Sequence, residues 1–324
     1  MGRSLGAVHA ERILDVLAGG GIANSGLAAS WRRSGHLHSL DPTNRAPSRR
    51  LSQGELVAAQ ERLGQLLRVA RSTLDRLFLA VGGLGCSVLL ADGGGLVVDR
   101  RGAVVDDATF EASGLWTGAV WSEKFEGTNG IGTCIAEKRP VIIDRDQHFF
   151  TRNSSLFCTT APIFDEHGEL AAALDVSSCR ADLTEGFARL IATLVADAAR
   201  LIEAENFRHA FPNARILLTP KTERAINSLL AVDRDDLVVG ATRAARRALG
   251  LDRAALARHI PATDLIGEAH AKTDDIVMAE RAVLHRALVR SNGNVSKAAK
   301  DLNMSRATMH RKLKQLGLHN RGDS

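Results

Sequence analysis

The sequence predicts an α+β protein that ends in a wholly helical tail. Three observations carry this. Short strand-forming runs separated by glycine turns lie between residues 86 and 176. Segments of helical periodicity flank them on both sides. The last stretch, 276–324, is built from short helical patterns and is strongly basic.

The 324 residues are 45% hydrophobic, enough for real cores, with only 4% aromatic and no tyrosine. Residues 1–50 read as a polar lead-in containing Trp31 and a proline-punctuated stretch from Pro42 to Pro47. Ser52-Gln53-Gly54-Glu55 is a capping box, with serine at the N-cap and glutamate three residues on. Leu56, Leu63, Leu66, Leu67, Ala70, Leu74, Leu77 and Phe78 then recur at helical spacing, predicting one helix over 52–78. Cys86 to Ala91 and Leu96 to Val98 read as two strands around Asp92-Gly93-Gly94-Gly95. Further strands are expected at 140–143, 158–164 and 170–176, the last two joined as a hairpin through Asp165-Glu166-His167-Gly168. Residues 185–207 are helical, with Phe187, Leu190, Ile191, Leu194, Val195, Leu201 and Ile202 on one face. The boundaries expected are a lead-in over 1–50, a sensor-like domain over 51–207, a short segment over 208–262, a linker over 263–275 and the tail over 276–324. In the short segment a helix–strand–turn–strand–helix pattern is expected over 225–256, its two strands at 228–232 and 237–240 around Asp233-Arg234-Asp235-Asp236.

Charge singles out the tail. The chain carries +5 overall, yet residues 281–321 alone hold ten lysines and arginines against the single acid Asp301. Such a concentration favours a polyanion. It lacks the bulky apolar face of a membrane-surface helix, so nucleic acid is expected. No window of about twenty apolar residues is present, so no membrane partner and a cytoplasmic location are expected. Cys86, Cys134, Cys158 and Cys179 have no paired spacing, which predicts neither a zinc site nor a disulfide framework. No metal or cofactor is expected.

Within the tail, Ile276, Val277, Ala279, Val283, Leu284, Ala287 and Leu288 mark a leading helix over 276–290, stopped by Ser291-Asn292-Gly293-Asn294. Two short helices follow, at 295–302 and 306–316. Small Ala299 suits their close crossing, Asn303 a left-handed turn, Met304 and Met309 apolar plugs, and Ser305 the cap of the second helix. In such a pair the second helix enters the major groove. Arg306 and His310, one turn apart, are the candidate base readers. Arg311, Lys312, Lys314 and Lys297 are candidate phosphate contacts. Asn294, Ser296, Ser305 and Thr308 complete the candidate DNA-binding set.

Asn292 to Ala299, Asn303 to Thr308 and Arg311 to Leu318 together resemble the Fis-type helix-turn-helix. That resemblance implies binding to double-stranded DNA as a homodimer, with 276–290 supplying the dimer contact. A second resemblance rests on Ser30-Trp31-Arg32-Arg33-Ser34, Leu40-Asp41-Pro42, Glu126-Gly127-Thr128-Asn129-Gly130-Ile131-Gly132-Thr133-Cys134, Glu137, Pro140-Val141, His148-Phe149, Cys158, Ala161-Pro162-Ile163 and Leu174-Asp175-Val176-Ser177. Together these resemble the GAF sensor region of acetoin-catabolism and glycerol/dihydroxyacetone-operon regulators. Residues 237–246 are similar to the PAS-like part of those proteins. Such regulators carry an AAA+ ATPase between sensor and tail; this sequence has no GxxxxGK[ST] loop and no room for that engine.

The expected function is therefore a ligand-responsive transcription regulator, not an enzyme, working without ATP hydrolysis. Its partners would be DNA, a second copy, RNA polymerase and a small effector, by analogy an alcohol, ketone or aldehyde of carbon metabolism. Glycines 127, 130 and 132 allow a tight backbone, either turned under the sheet or lining a pocket. Trp121, Phe125, Thr128, Asn129, Cys134, His148, Phe149 and Cys158 are the candidate ligand-binding residues, because half-aromatic, half-polar chemistry is what small-molecule pockets use. Two alternatives stay open. A signalling enzyme on the sensor fold would use Asp144, Asp146 and His148, and a nucleoid-type architectural protein would bind DNA without sequence preference.

Overall fold

A computed structural model describes residues 5–19, 25–219, 227–258, 260–266 and 276–318. It divides into two compact units, residues 1–165 with 170–203, and residues 166–169 with 204–324.

In the first unit the lead-in is not loose. Helices α1 (Leu5–Leu17) and α2 (Gly26–Arg32) fold there, α2 capped by Ser25, whose hydroxyl accepts from Ala28 N. Ile13, Val16, Ala28 and Trp31 bury themselves with Phe149 and Phe150 in a small core of their own. Polar local composition hid this, because the apolar partners lie more than a hundred residues away.

The expected helix over 52–78 is two helices. Ser52 and Glu55 close the predicted capping box on α3 (Gln53–Arg62), and the chain restarts at Gly64 as α4 (Gly64–Val81). Next come β1 (Cys86–Asp92), β2 (Val97–Arg101), α5 (Asp107–Ala112), α6 (Glu123–Glu126), α7 (Gly130–Glu137), β3 (Val141–Asp144), β4 (Phe157–Phe164) and β5 (Leu170–Ser178). The five strands form one antiparallel sheet in the order β2-β1-β5-β4-β3.

Both faces are covered, and period-two alternation sorts the side chains between them. Val88, Leu90, Ile163, Leu174 and Val176 pack under Leu66, Ala70, Leu74 and Leu77 of α4 and Ile191, Val195 and Ile202 of α8 (Glu185–Ala210). Leu89, Ala91, Cys158 and Ala173 face the other way, onto Ile131 and Cys134 of α7 and onto Trp121. Phe187 and Leu190, expected on the inward face of α8, are exposed.

The second unit opens with the end of α8, whose Ala204 and Phe207 pack on Leu229 and Ala231. The strands β7 (Leu229–Val232) and β8 (Val238–Ala241) match the expected hairpin. A strand not anticipated, β6 (Arg215–Leu218), pairs antiparallel with β7. Helices α9 (Arg243–Leu249), α10 (Arg253–Ala257) and α11 (Ala262–Ile266) complete this segment, α11 occupying the start of the expected linker. The rest of that linker, the start of the helix expected from Ala225, and Arg321 fall outside the described residues.

Candidate functional site: the helical tail and the interior of the sensor

The tail forms three helices, α12 (Ile276–Arg290), α13 (Val295–Asp301) and α14 (Arg306–Gln315). Their shared core is Leu284, Ala287, Ala298, Ala299, Met309 and Leu313. Burying a leucine or methionine there contributes roughly 1.5–3 kcal/mol. Val283, expected inward, is 40% exposed, and Ala282 beside it is buried. The predicted faces of Ile276 and Val277 lie outside the described side chains.

The turns are specified locally. Asn294 Oδ1 accepts from Lys297 N at 3.0 Å, and Ser305 Oγ accepts from Thr308 N at 3.1 Å, so each short helix begins on its own side-chain cap. Asn303, at φ 51, makes the left-handed turn between them. Leu318 N donates to Leu313 O at 2.9 Å past Gly317, at φ 67, closing α14.

This leaves Arg306, His310, Arg311 and Lys314 exposed on α14, and Ser296, Lys297 and Lys300 exposed on α13. Asn294 and Ser305 are exposed and serve as caps; Thr308 is half-buried. Lys312 departs from expectation: it turns back to pair with Glu280 of α12. Arg281, Arg286 and Arg290 also pair with carboxylates, those of Asp235, Asp236 and Asp264. The basic tail therefore divides into a paired set on and beside α12 and an outward set on α13 and α14.

In the first unit the motif residues form a buried polar lattice. Glu123, 5% exposed, accepts from Ser30 Oγ at 2.6 Å and Thr133 Oγ1 at 2.8 Å. Arg33 grips the same carboxylate at both oxygens, Nε to Oε2 at 2.8 Å and Nη2 to Oε1 at 2.9 Å. Ser30 Oγ also meets Thr128 Oγ1 at 2.7 Å. Trp31 Nε1 donates to Gln147 O at 2.8 Å. Glu126 pairs with Arg152 at 2.7 Å, while burial pushes its carboxyl above the usual range.

Deeper, on the α7 face of the sheet, Asp175 accepts from Thr160 Oγ1 and from Ser177 Oγ, the latter at 2.6 Å. Ser177 Oγ also lies 3.1 Å from Cys158 Sγ, and His148 Nε2 lies 3.4 Å from the same sulfur. Burial raises the Asp175 carboxyl to about 6 and lowers the His148 imidazole to about 4. It also pushes the Cys134 and Cys158 thiols up, so neither is a ready thiolate.

The glycines of 126–134 serve this packing. A Cβ on Gly130 would lie 2.5 Å from Thr160 Oγ1 and 2.7 Å from Cys158 Cβ; one on Gly132 would lie 2.5 Å from Glu123 N and 2.7 Å from Trp121 O. What approaches the backbone there is protein. Of the two readings of that loop, the turn packed under the sheet describes it.

The GAF domain family matches residues 65–202, and the Fis family of bacterial regulatory proteins matches 276–316. The chain pairs a GAF domain with a Fis-family helix-turn-helix. It is 36% identical over 221 residues to the acetoin catabolism regulatory protein of Cupriavidus necator, covering 67% of this chain and 33% of that protein. It is 31% identical over 175 residues to the acetoin dehydrogenase operon transcriptional activator AcoR of Bacillus subtilis, covering 53% and 28%. A propane 2-monooxygenase operon transcriptional activator, MimR of Mycolicibacterium smegmatis, is 30% identical over 145 residues, covering 43% and 23%. The chain thus spans about a third or less of the length of these relatives. The E. coli DhaR(N)–DhaL complex contains a chain of similar fold, with TM-score 0.50 and 17% identity over 76% of this chain and 80% of that one.

Of the candidate ligand-binding residues, all but Phe125 are buried. Trp121, Cys134 and Cys158 belong to the packed core beneath α7. Asn129 caps α7, accepting from Gly132 N at 2.8 Å, and Thr128 is tied to Ser30. His148 is buried, with Nδ1 donating to Arg145 O at 3.0 Å. Phe149 packs with the lead-in helices, and Phe125 lies half-buried under the Arg49 guanidinium. Asp144 and Asp146, the other members of the enzyme alternative, pair with Arg145 and Arg12. A cavity of about 640 Å³ opens elsewhere, lined by Arg12, Val16, Leu27, Ala28, Trp31 and Gln147, among others. Sequence reasoning missed it because it belongs to helices that read as a lead-in. Trp31 and its neighbours in the motif were the one available signal.

Proposed function

We propose that this chain is a DNA-binding transcription regulator whose GAF domain responds to a small molecule. The observation that carries the reading is the outward face of the Fis-family helix-turn-helix: Arg306, His310, Arg311 and Lys314 on α14 beside Ser296, Lys297 and Lys300 on α13. Two capped helices in a tight turn hold these side chains at fixed spacing, as reading a groove requires. Arg306 and His310 read base edges, and Arg311, Lys314 and Lys297 position the backbone. The chain works as a homodimer, because recognition of two half-sites needs two such helices, and it has no phosphate-binding GxxxxGK[ST] loop with which to drive polymerase by ATP hydrolysis. It acts on ordinary RNA polymerase by contact or by exclusion.

The relatives are named for acetoin and propane operons, so the effector class is a small alcohol, ketone or aldehyde. The cavity beside Trp31 suits such a molecule, with apolar walls from Val16, Leu27 and Ala28 and hydrogen-bonding groups at Arg12 and Gln147. Binding of the full chain to DNA upstream of its own gene, against a random fragment across a salt series, tests the reading. A preference of about a thousandfold or more supports a specific regulator. Equal affinity for both fragments, with and without acetoin or a related compound, would favour an architectural protein instead.

A further inference from the structure

The paired arginines of α12 have a physical logic of their own. Arg281 and His285 are four residues apart, as are Arg286 and Arg290, so the four side chains make two pairs, set on two neighbouring sides of the helix. Both pairs lie on the half of the helix turned away from Leu284 and Ala287, which are buried in the helix-turn-helix core. Opposite the pairs stand three aspartates of the middle segment. Asp235 meets His285 Nδ1 at 2.9 Å and Arg281 Nη1 at 3.2 Å; Asp236 lies 3.7 Å from Arg286 Nη1; Asp264 accepts from Arg290 Nε at 2.8 Å.

The hairpin turn between β7 and β8 is shaped to offer these groups. Asp233 Oδ1 folds back to accept from Asp235 N at 2.8 Å and Leu237 N at 2.9 Å, leaving the next two carboxylates to project. Asp236 takes a left-handed φ of 63, a conformation aspartate tolerates better than most residues. Its other oxygen accepts from Arg215 at 2.7 Å. Both aspartates are buried, at 4% and 7% exposure, and Asp235 Oδ1 and Asp236 Oδ2 have no hydrogen bond of good geometry. Carboxylate oxygens in that position need a facing cation, and Arg281 and Arg286 are the cations that face them.

We propose that the Asp235–Asp236 turn is an acidic clamp that holds the Fis-family helix-turn-helix by its leading helix, so that the middle segment sets where the recognition helix points. The contact rests on charge, so its loss loosens α12 while leaving the β7–β8 hairpin folded. It also withholds Arg281, Arg286 and Arg290 from other anions, leaving Lys297, Lys300, Arg311 and Lys314 to meet phosphate. The regulatory consequence rests on the DNA-binding reading; the clamp itself does not.

Amide hydrogen exchange on the full chain tests it without DNA, so failure of the DNA-binding reading would leave the result standing. In Asp235→Asn/Asp236→Asn, exchange along α12 should quicken about tenfold or more while β7 and β8 keep their protection. Arg281→Gln/Arg286→Gln, which leaves the hairpin untouched, should do the same. The charge swap Asp235→Arg/Arg281→Asp should recover protection that either single substitution loses. Native exchange along α12 in both neutralised variants, or a swap no better than its singles, would overturn the clamp.

Discussion

Arg33 closes on Glu123 at two points, 2.8 and 2.9 Å, with Glu123 almost wholly out of solvent. The pair joins the lead-in to the start of α6, and the hydroxyls of Ser30 and Thr133 complete its acceptor demand. Removing the arginine strands a buried charge. Arg33→Ala should lower the stability of the first unit by about 3 kcal/mol, read by urea unfolding. Arg33→Ala/Glu123→Gln should cost less than Arg33→Ala alone. Additive losses would mean that the pair is incidental.

Asp175 and His148 should give opposing pH slopes. In the fold Asp175 keeps its proton up to about pH 6, whereas the unfolded chain releases it near 3.8. Its contribution to stability is fully present below 3.8 and is lost as pH rises through 6. His148 stays neutral in the fold down to about pH 4 but gains a proton near 6.5 when unfolded, so its contribution is lost as pH falls through that window. Asp175→Asn should therefore lose stability more steeply than the native chain between pH 6 and 4, and His148→Gln less steeply. Each slope is at most about 1.4 kcal/mol per pH unit. Parallel curves for all three chains would contradict this.

Gly130→Ala and Gly132→Ala should both destabilise the GAF domain, unequally. At Gly130 the added methyl meets three side chains, those of Thr160, Cys158 and Asp175, which can yield in part, and a cost of about 1–3 kcal/mol is expected. At Gly132 it meets the backbone of Glu123 and Trp121, which cannot, so calorimetry should find this variant the less stable. The reverse order would show that α7 is not wedged as described.

For DNA, Arg306→Ala should erode the preference for the specific fragment by about 1–3 kcal/mol. Lys314→Ala should weaken both fragments alike and reduce the salt slope by about 1. Because Lys312 is engaged with Glu280, Lys312→Ala should leave both affinities nearly unchanged. A large loss of affinity there would place Lys312 on phosphate after all.

What the sequence alone determined is what short-range forces specify. The capping box at Ser52, the caps at Asn294 and Ser305, the left-handed Asn303 and the alternating strands all follow from neighbours a few residues apart. So did the GAF and Fis resemblances, which rest on contiguous runs. Tertiary structure decided everything that depends on distant partners. Ser30 finds Thr128 across 98 positions, so a stretch that read as a polar lead-in became part of the sensor unit. Most of the residues expected to line a pocket lie buried, and protein faces Gly130 and Gly132, because glycines that permit close approach do not say what approaches. Charge behaved alike: composition revealed a basic tail, but only the fold could set Arg281 and Arg286 against Asp235 and Asp236, because a Coulomb partner is chosen by proximity in space.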